Sequence, residues 1–402
     1  MFSASKKRMQ IILGDLRASN KPLKIFDKKV VDFLNEVSIE IIKNKKNLKY
    51  SDLITFGFWC RKANILRLSK KYNKSIFMIG RGSIFHITPS NVPMNFAYSL
   101  SFGLLSGNRN IIRLPGRNFI QIKLLCKIIS KILKKSKFQS LSSKICLIRY
   151  EKSNLISSKL SQIVDARLIW GGDETINQFK KYPTSPRCVD LCFSNRYSIS
   201  LININKISKL NDLEIRNLAI RFFNDAYLMD QQGCSSPQAI VWLGENNLYK
   251  KKFWKTLSSI VTKKYDNDIS ITNKKIAILS STAINSKINF KTNLKNFKLI
   301  KLNINNPSIE IENIQCHFGT FVEIDIKKLS ELKKLITKKF QTITCYGIDN
   351  NELRKIIENF GLTGIDRIVP IGRAFDMGPI WDGYDIIYSL SRIVGEKMTG
   401  KK

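Results

Sequence analysis

The residues best suited to chemistry lie between Asp230 and Gln238, in the string Asp-Gln-Gln-Gly-Cys-Ser-Ser-Pro-Gln. Cys234 follows a glycine at the end of a polar loop, and Pro237 stops any new helix. Glycine lets the backbone approach a substrate closely. Proline removes a donor and stiffens the exit. Such a loop lifts one thiol clear of the fold and holds it still, so Cys234 reads as a nucleophile. The chain has eight cysteines, and most of the others sit in apolar runs such as Ile145-Cys146-Leu147-Ile148. Those read as core fillers. There is no CxxC pair, and His86 and His317 are the only histidines. A structural zinc site is therefore not expected.

Three further loops carry candidate groups. In Thr88-Pro89-Ser90-Asn91-Val92-Pro93, Asn91 lies between two prolines that restrict their neighbours. A rigid amide there serves as an oxyanion donor or, equally in keeping with the pattern, as a helix N-cap. In Arg113-Leu114-Pro115-Gly116-Arg117, two arginines flank a Pro-Gly turn. They suit a phosphate or ribose, or are plain surface arginines. Gly171 and Gly172 follow Ile169-Trp170 and precede Asp173. Two glycines before a helix let the backbone approach a phosphate, although a turn capped by Asp173 has the same look.

The elements that must position these loops show an ordered pattern. From Ser83 onward, strands alternate with helices, which implies a parallel sheet covered on both faces. Strands are expected at Ser83–Ile87, Asn110–Leu114, Ile145–Arg149, Ala166–Trp170, Val189–Phe193 and Ser198–Ile204. An amphipathic helix from Leu213 to Leu228 leads into the cysteine loop, and a strand from Ala239 to Leu243 leaves it. Further on, Leu248–Lys264, Leu329–Phe340 and Asn351–Phe360 are expected helices, and Gln341–Cys345 a strand. The stretch from Asp266 to Asn313 is rich in Lys and Asn, with short β segments expected. Residues 1 to about 80 read as a mostly helical cover or oligomer contact. Trp381-Asp382-Gly383-Tyr384-Asp385 is an unusual string without an evident role.

The 402 residues carry 68 Lys and Arg against 31 Asp and Glu, a formal charge of +37. The lysines are spread along the chain and mixed with Ile and Asn, so they read as solvated faces and not as a specific nucleic-acid patch. They would attract an anionic ligand, a carrier protein or a membrane surface. No stretch approaches the roughly 18 apolar residues of a membrane span, and Ile11-Ile12-Leu13 is too short for a signal peptide. Reduced cysteines fit the cytosol, and a cytoplasmic protein is expected.

Taken in order, these loops resemble the aldehyde dehydrogenase superfamily, and more closely the long-chain acyl-CoA reductases of bacterial bioluminescence, the LuxC-like family. The matching pieces are His86 to Pro93, Leu104 to Asn108, Trp170 to Glu174, Asp230 to Gln238 and Trp381-Asp382-Gly383. The resemblance implies an α/β fold with a Rossmann-type cofactor domain and an α/β catalytic domain. The expected division is a helical cover at 1–80, an NADP-binding domain at 81–228, a catalytic domain at 229–365 and a return segment at 366–402. It implies that Cys234 is the nucleophile and that Asn91 helps hold the oxyanion. Pro89, Arg113 and Arg117 are expected at the cofactor, with Gly171 and Gly172 near its pyrophosphate.

Three departures from the superfamily pattern bear on function. The general-base glutamate has no counterpart in Phe193-Ser194-Asn195-Arg196-Tyr197-Ser198. Water is then poorly activated against an acyl-enzyme, which favours exchange with a thiol over hydrolysis. Gly116 replaces an acidic residue of the ribose site, with Arg117 beside it, which suits a 2′-phosphate and hence NADPH. Cys316 stands where a glutamate usually precedes Phe-Gly. The expected activity is NADPH-dependent reduction of an acyl thioester to a fatty aldehyde through an acyl-cysteine. The acyl donor is acyl-CoA or an acyl-carrier or acyl-transferring protein, and a homo-oligomer is expected. The alternatives are a non-redox cysteine acyltransferase, which would need a histidine oriented on Cys234, and a basic binding protein that has lost catalysis.

Overall fold

The computed structural model describes residues 9–19, 21–73, 75–266, 269–286, 297–303, 310–314 and 316–395. The chain divides into two compact units, Met1–Ser194 with Met377–Lys402, and Asn195–Asp376. The first contains β1 (Met9–Leu13), β2 (Met78–Gly80), β3 (Ser83–Ile87), β4 (Arg109–Arg113), β5 (Ile145–Tyr150), β6 (Ala166–Trp170) and β7 (Val189–Phe193). The second contains β8 (Tyr197–Asn203), β9 (Pro237–Leu243), β10 (Ile300–Asn303), β11 (Thr320–Ile326), β12 (Phe340–Tyr346) and β13 (Arg367–Pro370). The chain then returns to the first unit with β14 (Ile380–Trp381), β15 (Tyr384–Asp385) and β16 (Ser391–Ile393).

The first unit's main sheet runs β1-β5-β4-β3-β6-β7. All its pairings are parallel except β1 with β5. Its inner parallel strands are buried on both faces; Ile84, Phe85, Ile111, Ile112, Leu147, Ile148, Leu168 and Ile169 are fully buried. The chain moves outward from β3 through β4 to β5, then crosses to the other side of β3 to form β6. That reversal is a topological switch point, where open α/β sheets bind ligands beyond the strands' carboxyl ends.

His86 belongs to this core. Its ring nitrogens meet the Ser99 hydroxyl at 2.7 Å and Asn110 Oδ1 at 3.0 Å. Trp170 Nε1 donates to the same hydroxyl at 3.1 Å, so Ser99 donates to Nδ1, and Nε2 carries the proton toward Asn110. Burial lowers His86 to about 3. It is a neutral packed residue.

The second unit's sheet runs β10-β11-β9-β8-β12-β13, parallel throughout. The division between units falls at Ser194 and not at residue 228, because β8 is hydrogen-bonded between β9 and β12. Two other expectations differ. Helix occupies Ile269–Ser286 where short β segments were expected; residues 267–268, 287–296 and 304–309 of that stretch lie outside the described residues. After β11 the expected long helix is a 3-10 turn at Leu329–Lys334. Phe340 is claimed by the sheet, where it pairs with Tyr197, and that tertiary demand overrides local propensity.

The N-terminal region is not only a helical cover. Helices do form at Lys28–Lys43, Ser51–Trp59 and Lys62–Ser69, but Ile11 to Leu13 lie in an edge strand on β5. The Trp-Asp-Gly-Tyr-Asp string is a two-stranded turn, with Asp382 and Gly383 both left-handed. Its last residue, Asp385, caps the next helix through Tyr388 N and accepts the Tyr72 hydroxyl at 3.0 Å. The string therefore fastens the returning segment within the first unit. Among the described residues, no helix is long and apolar enough to cross a membrane.

Candidate active site

Cys234 is placed by a loop fixed at both ends. The helix Asp212–Tyr227 starts from a capping box in which Asn211 and Glu214 satisfy each other's backbone N–H groups. Beyond it, Asp230 and Gln231 both adopt left-handed backbone, at φ 52 and 60. Two adjacent non-glycine residues in this region cost roughly 1 kcal/mol or more each. The cost is offset by a second left-handed pair, Phe318 and Gly319 at φ 56 and 79, to which they are stitched. Phe318 N donates to the Asp230 carbonyl at 3.0 Å. The buried Gln231 amide accepts from Gly319 N and Thr320 N, and donates to the carbonyls of Pro237 and Thr320, all at 2.8–3.2 Å. Every hydrogen-bonding direction of that side chain is used. Gly319 is required twice over, since a Cβ would lie 2.4 Å from the Lys298 carbonyl. At Gly233, a Cβ would come within 2.6 Å of the Phe375 ring.

Cys234 is half-buried. Its carbonyl accepts the Ser198 hydroxyl at 2.7 Å, and Ser198 Oγ accepts Thr342 N at 3.2 Å. Its sulfur receives the Gln341 amide, with Nε2 3.4 Å from Sγ. Gln341 is fully buried. The Thr342 hydroxyl donates to Gln341 Oε1 at 3.2 Å, and Arg367 Nη1 lies 3.4 Å from that hydroxyl. The register explains this convergence. Arg367 and Thr342 are paired across β13 and β12. The β8–β12 ladder is irregular between Phe340 and Ile343, and the β8–β9 ladder between Ser198 and Ile199. Such irregularities re-aim side chains.

Burial pushes each of the other seven thiols up, Cys316 and Cys345 to about 12. Cys316 is a core thiol whose backbone N–H donates to Gln238 Oε1 at 3.0 Å. His317 meets the Gln231 carbonyl through Nδ1 at 3.2 Å, so Nδ1 carries its proton; burial lowers its pKa, outweighing that bond. The buried Asp225 accepts Gly372 N at 2.6 Å and Ala374 N at 2.9 Å, and burial raises it to about 6.

The first unit gathers the remaining candidates at the carboxyl edge of its sheet. Pro89 and Asn91 follow β3, Arg113 ends β4, and Gly171 and Gly172 follow β6. Asn91 is exposed and Pro89 half-buried. Thr88 Oγ1 donates to the Arg113 carbonyl at 2.8 Å, tying two of these loops together. The half-buried Arg113 lies over the Tyr150 ring at 4.5 Å, and the exposed Arg117 over Phe119 at 5.2 Å. Gly171 N donates to the Phe193 carbonyl at 3.2 Å. Gly172 caps the helix Asp173–Lys180 without a side-chain bond. Asn95 Oδ1, at the start of the helix Asn95–Leu105 that follows the Asn91 loop, is buried with no partner among the described residues. An orphaned amide oxygen, two arginines and a helix start lacking a side-chain cap suit the phosphates and polar rim of a dinucleotide. Asp173 and Glu174 already occupy that helix's first turn, so the arginines are the better candidates for holding a phosphate.

Pro89, Asn91, Arg113, Gly171 and Gly172 thus share one sheet edge, while Cys234 stands in the second unit. Sequence reasoning did not find Ser198, Gln341, Thr342 or Arg367, which sit at strand starts with no motif around them. Gln231 lay within the quoted string, and its burial is what marks it.

Among the described residues, no group of three or more His, Cys, Asp or Glu is arranged to hold a metal. A family model described as acyl-CoA reductase (LuxC) matches residues 61–395. A long-chain acyl-protein thioester reductase of Aliivibrio fischeri is 27% identical over 168 residues, covering 41% of this chain. The match spans about a third of that relative's length. Lactaldehyde dehydrogenase from Escherichia coli superposes with a TM-score of 0.62 at 13% identity, covering 91% of this chain and 85% of that one. The NADP-dependent glyceraldehyde-3-phosphate dehydrogenase from Bacillus halodurans, complexed with NADP, gives 0.61 at 12% identity over 91% and 86% of the two chains. The fold is that of the aldehyde dehydrogenases.

Proposed function

Because the chain belongs to the LuxC acyl-CoA reductase family, we propose that it reduces an acyl thioester to a fatty aldehyde, with NADPH as reductant and Cys234 as acyl acceptor. The observation that carries this reading is a half-buried thiol on a loop fixed at both ends, with an N–H donor on its sulfur. The Cys234 thiolate attacks the carbonyl carbon of the thioester. The backbone N–H of Cys234 and the Asn91 amide are assigned to the oxyanion. The carrier thiol leaves with the bonding electrons, and an acyl-cysteine remains. When bound, the cofactor supplies the hydride that converts this acyl group to the aldehyde level; the Cys234 sulfur then departs as the aldehyde forms. Arg113, Arg117 and the backbone at Gly171 and Gly172 are assigned to holding the cofactor, with Pro89 shaping the loop beside them. Arg117 favours a 2′-phosphate.

The segment from Phe193 to Ser198 holds no carboxylate, so the acyl-cysteine is protected from activated water. A non-redox acyltransferase would need a histidine base. His86 spends both ring nitrogens in the first unit's core, and His317 directs Nδ1 to a backbone carbonyl. The acyl donor is acyl-CoA or an acyl-bearing protein. The relative's activity on acyl-protein thioesters favours the latter, and the lysine-rich surface would attract an acidic carrier.

The test is NADPH consumption with acyl-CoA of varied chain length and with an acylated carrier protein. Cys234→Ser is expected to lower turnover by about 10³-fold or more, as for other covalent nucleophiles. Turnover that survives this change sinks the nucleophile assignment, and no turnover with any thioester sinks the reductase reading.

A further inference from the structure

We propose that Gln341 is a catalytic residue that donates to Cys234 Sγ and holds it as the thiolate, and that Thr342 and Arg367 are positioning residues that orient and polarise that donor. This rests on Cys234 being the nucleophile and adds how its reactive form is sustained.

The direction of each hydrogen bond fixes the chain of influence. Arg367 can only donate, and its Nη1 reaches Thr342 Oγ1. The threonine has one proton, which goes to Gln341 Oε1. That assigns the oxygen of the amide and leaves its nitrogen toward the sulfur. Each link therefore draws electron density away from Cys234, and in a buried setting such bonds reinforce one another. Arg367 is itself held in place, donating to the carbonyls of Ala374 at 3.0 Å and Asp376 at 3.1 Å. The cation is thus kept one hydroxyl and one amide away from the sulfur. A donor on the charged form of a thiol favours that form.

Arg196, Asp230 and His317 each have partners of their own. Arg196 pairs with Asp366 and donates to the Phe340 carbonyl. Asp230 accepts the Tyr265 hydroxyl at 2.8 Å. His317 meets the Gln231 carbonyl and is kept neutral by burial.

The experiment is peptide-resolved alkylation of the full-length protein by iodoacetamide across pH 6 to 10, read by mass spectrometry, with the other seven thiols, four of them buried, as controls in the same sample. Gln341→Leu is expected to move the Cys234 profile up by about one pH unit and slow its alkylation near neutrality about tenfold. Thr342→Val keeps the shape and removes the hydroxyl; it is expected to move the profile the same way by less, and adding it to Gln341→Leu should change nothing further. Gln341→Glu places a negative charge at the sulfur and should move the profile furthest. A Cys234 profile unchanged in both Gln341→Leu and Thr342→Val, each folded by circular dichroism, overturns the proposal. Should Gln341→Leu fail to fold, an unchanged Thr342→Val profile overturns it alone. The alkylation uses neither cofactor nor thioester. Shifted profiles in a protein that reduces no thioester would therefore overturn the proposed function and support this assignment, whereas unchanged profiles in an active reductase would overturn only the assignment.

Discussion

The two units use opposite edges of similar parallel sheets. In the first, the candidate binding groups follow the carboxyl ends of β3, β4 and β6 and are mostly turns and backbone. In the second, the groups around the thiol precede the strands or begin them: Cys234 before β9, Ser198 in β8, Gln341 in β12 and Arg367 in β13. The carboxyl edge is where helix starts present N–H groups, so it suits anions with little help from side chains. The amino edge has no such field. A reactive group there must be supported by side chains from several strands, and register irregularities supply their aim. Binding by backbone tolerates change in a loop. Support by buried polar side chains does not, because each partner lost leaves another unsatisfied.

The largest effect expected from this contrast is at Gln231. Gln231→Leu removes four hydrogen bonds to backbone groups and leaves Thr320 N only its bond to the His317 carbonyl; it is expected to lower unfolding free energy by on the order of 4 kcal/mol, measured by urea titration. A loss below about 1 kcal/mol would mean that the stitched turns do not hold the cysteine loop.

Asp225 gives the next. Its carboxyl is raised to about 6 from 3.8, chiefly by burial and against the two backbone N–H bonds. The folded state then holds a proton that the unfolded chain releases between these values. The resulting stabilisation is full below about pH 4 and is lost as pH rises through 6. Asp225→Asn cannot show it, so the stability difference between wild type and variant should change by about 2 kcal/mol between pH 4 and 7. A difference constant with pH contradicts this.

The smallest belongs to the first unit. Arg113→Ala is expected to raise the KM for NADPH about tenfold, with kcat and the melting temperature little changed. A large loss of stability would erase the distinction between the two edges.

The same contrast explains what was legible in the sequence. Ser83–Ile87, Ala166–Trp170 and Val189–Phe193 were readable as strands because each is a short, mostly apolar run. Pro89, Asn91, Arg113, Gly171 and Gly172 stood out because turns need particular residue types. Gln341 did not. A glutamine beginning the strand Phe-Gln-Thr-Ile-Thr has no local signature, and its meaning arises only when the sheet sets it beside a cysteine 107 positions away. The helix Ile269–Ser286 was hidden for a related reason. Lys275 occupies a core position, where its ammonium donates to the Phe318 carbonyl at 2.8 Å and burial lowers it to about 7. A lysine in that place breaks the apolar period by which helices are recognised.

The return of residues 377–393 to the first unit sets an order of assembly. The second unit is one uninterrupted stretch and can close as soon as Asp376 has left the ribosome. The first cannot, because β2 waits for β16 to pair with it, and the Tyr72 hydroxyl waits for Asp385. Synthesis proceeds at about 5–20 residues per second, so the half that begins first is finished last, many seconds after β3 and β4 have emerged. During that interval the six-stranded sheet has all its strands, but β2 keeps an unpaired edge, and that edge is the part of the unit most in need of cover.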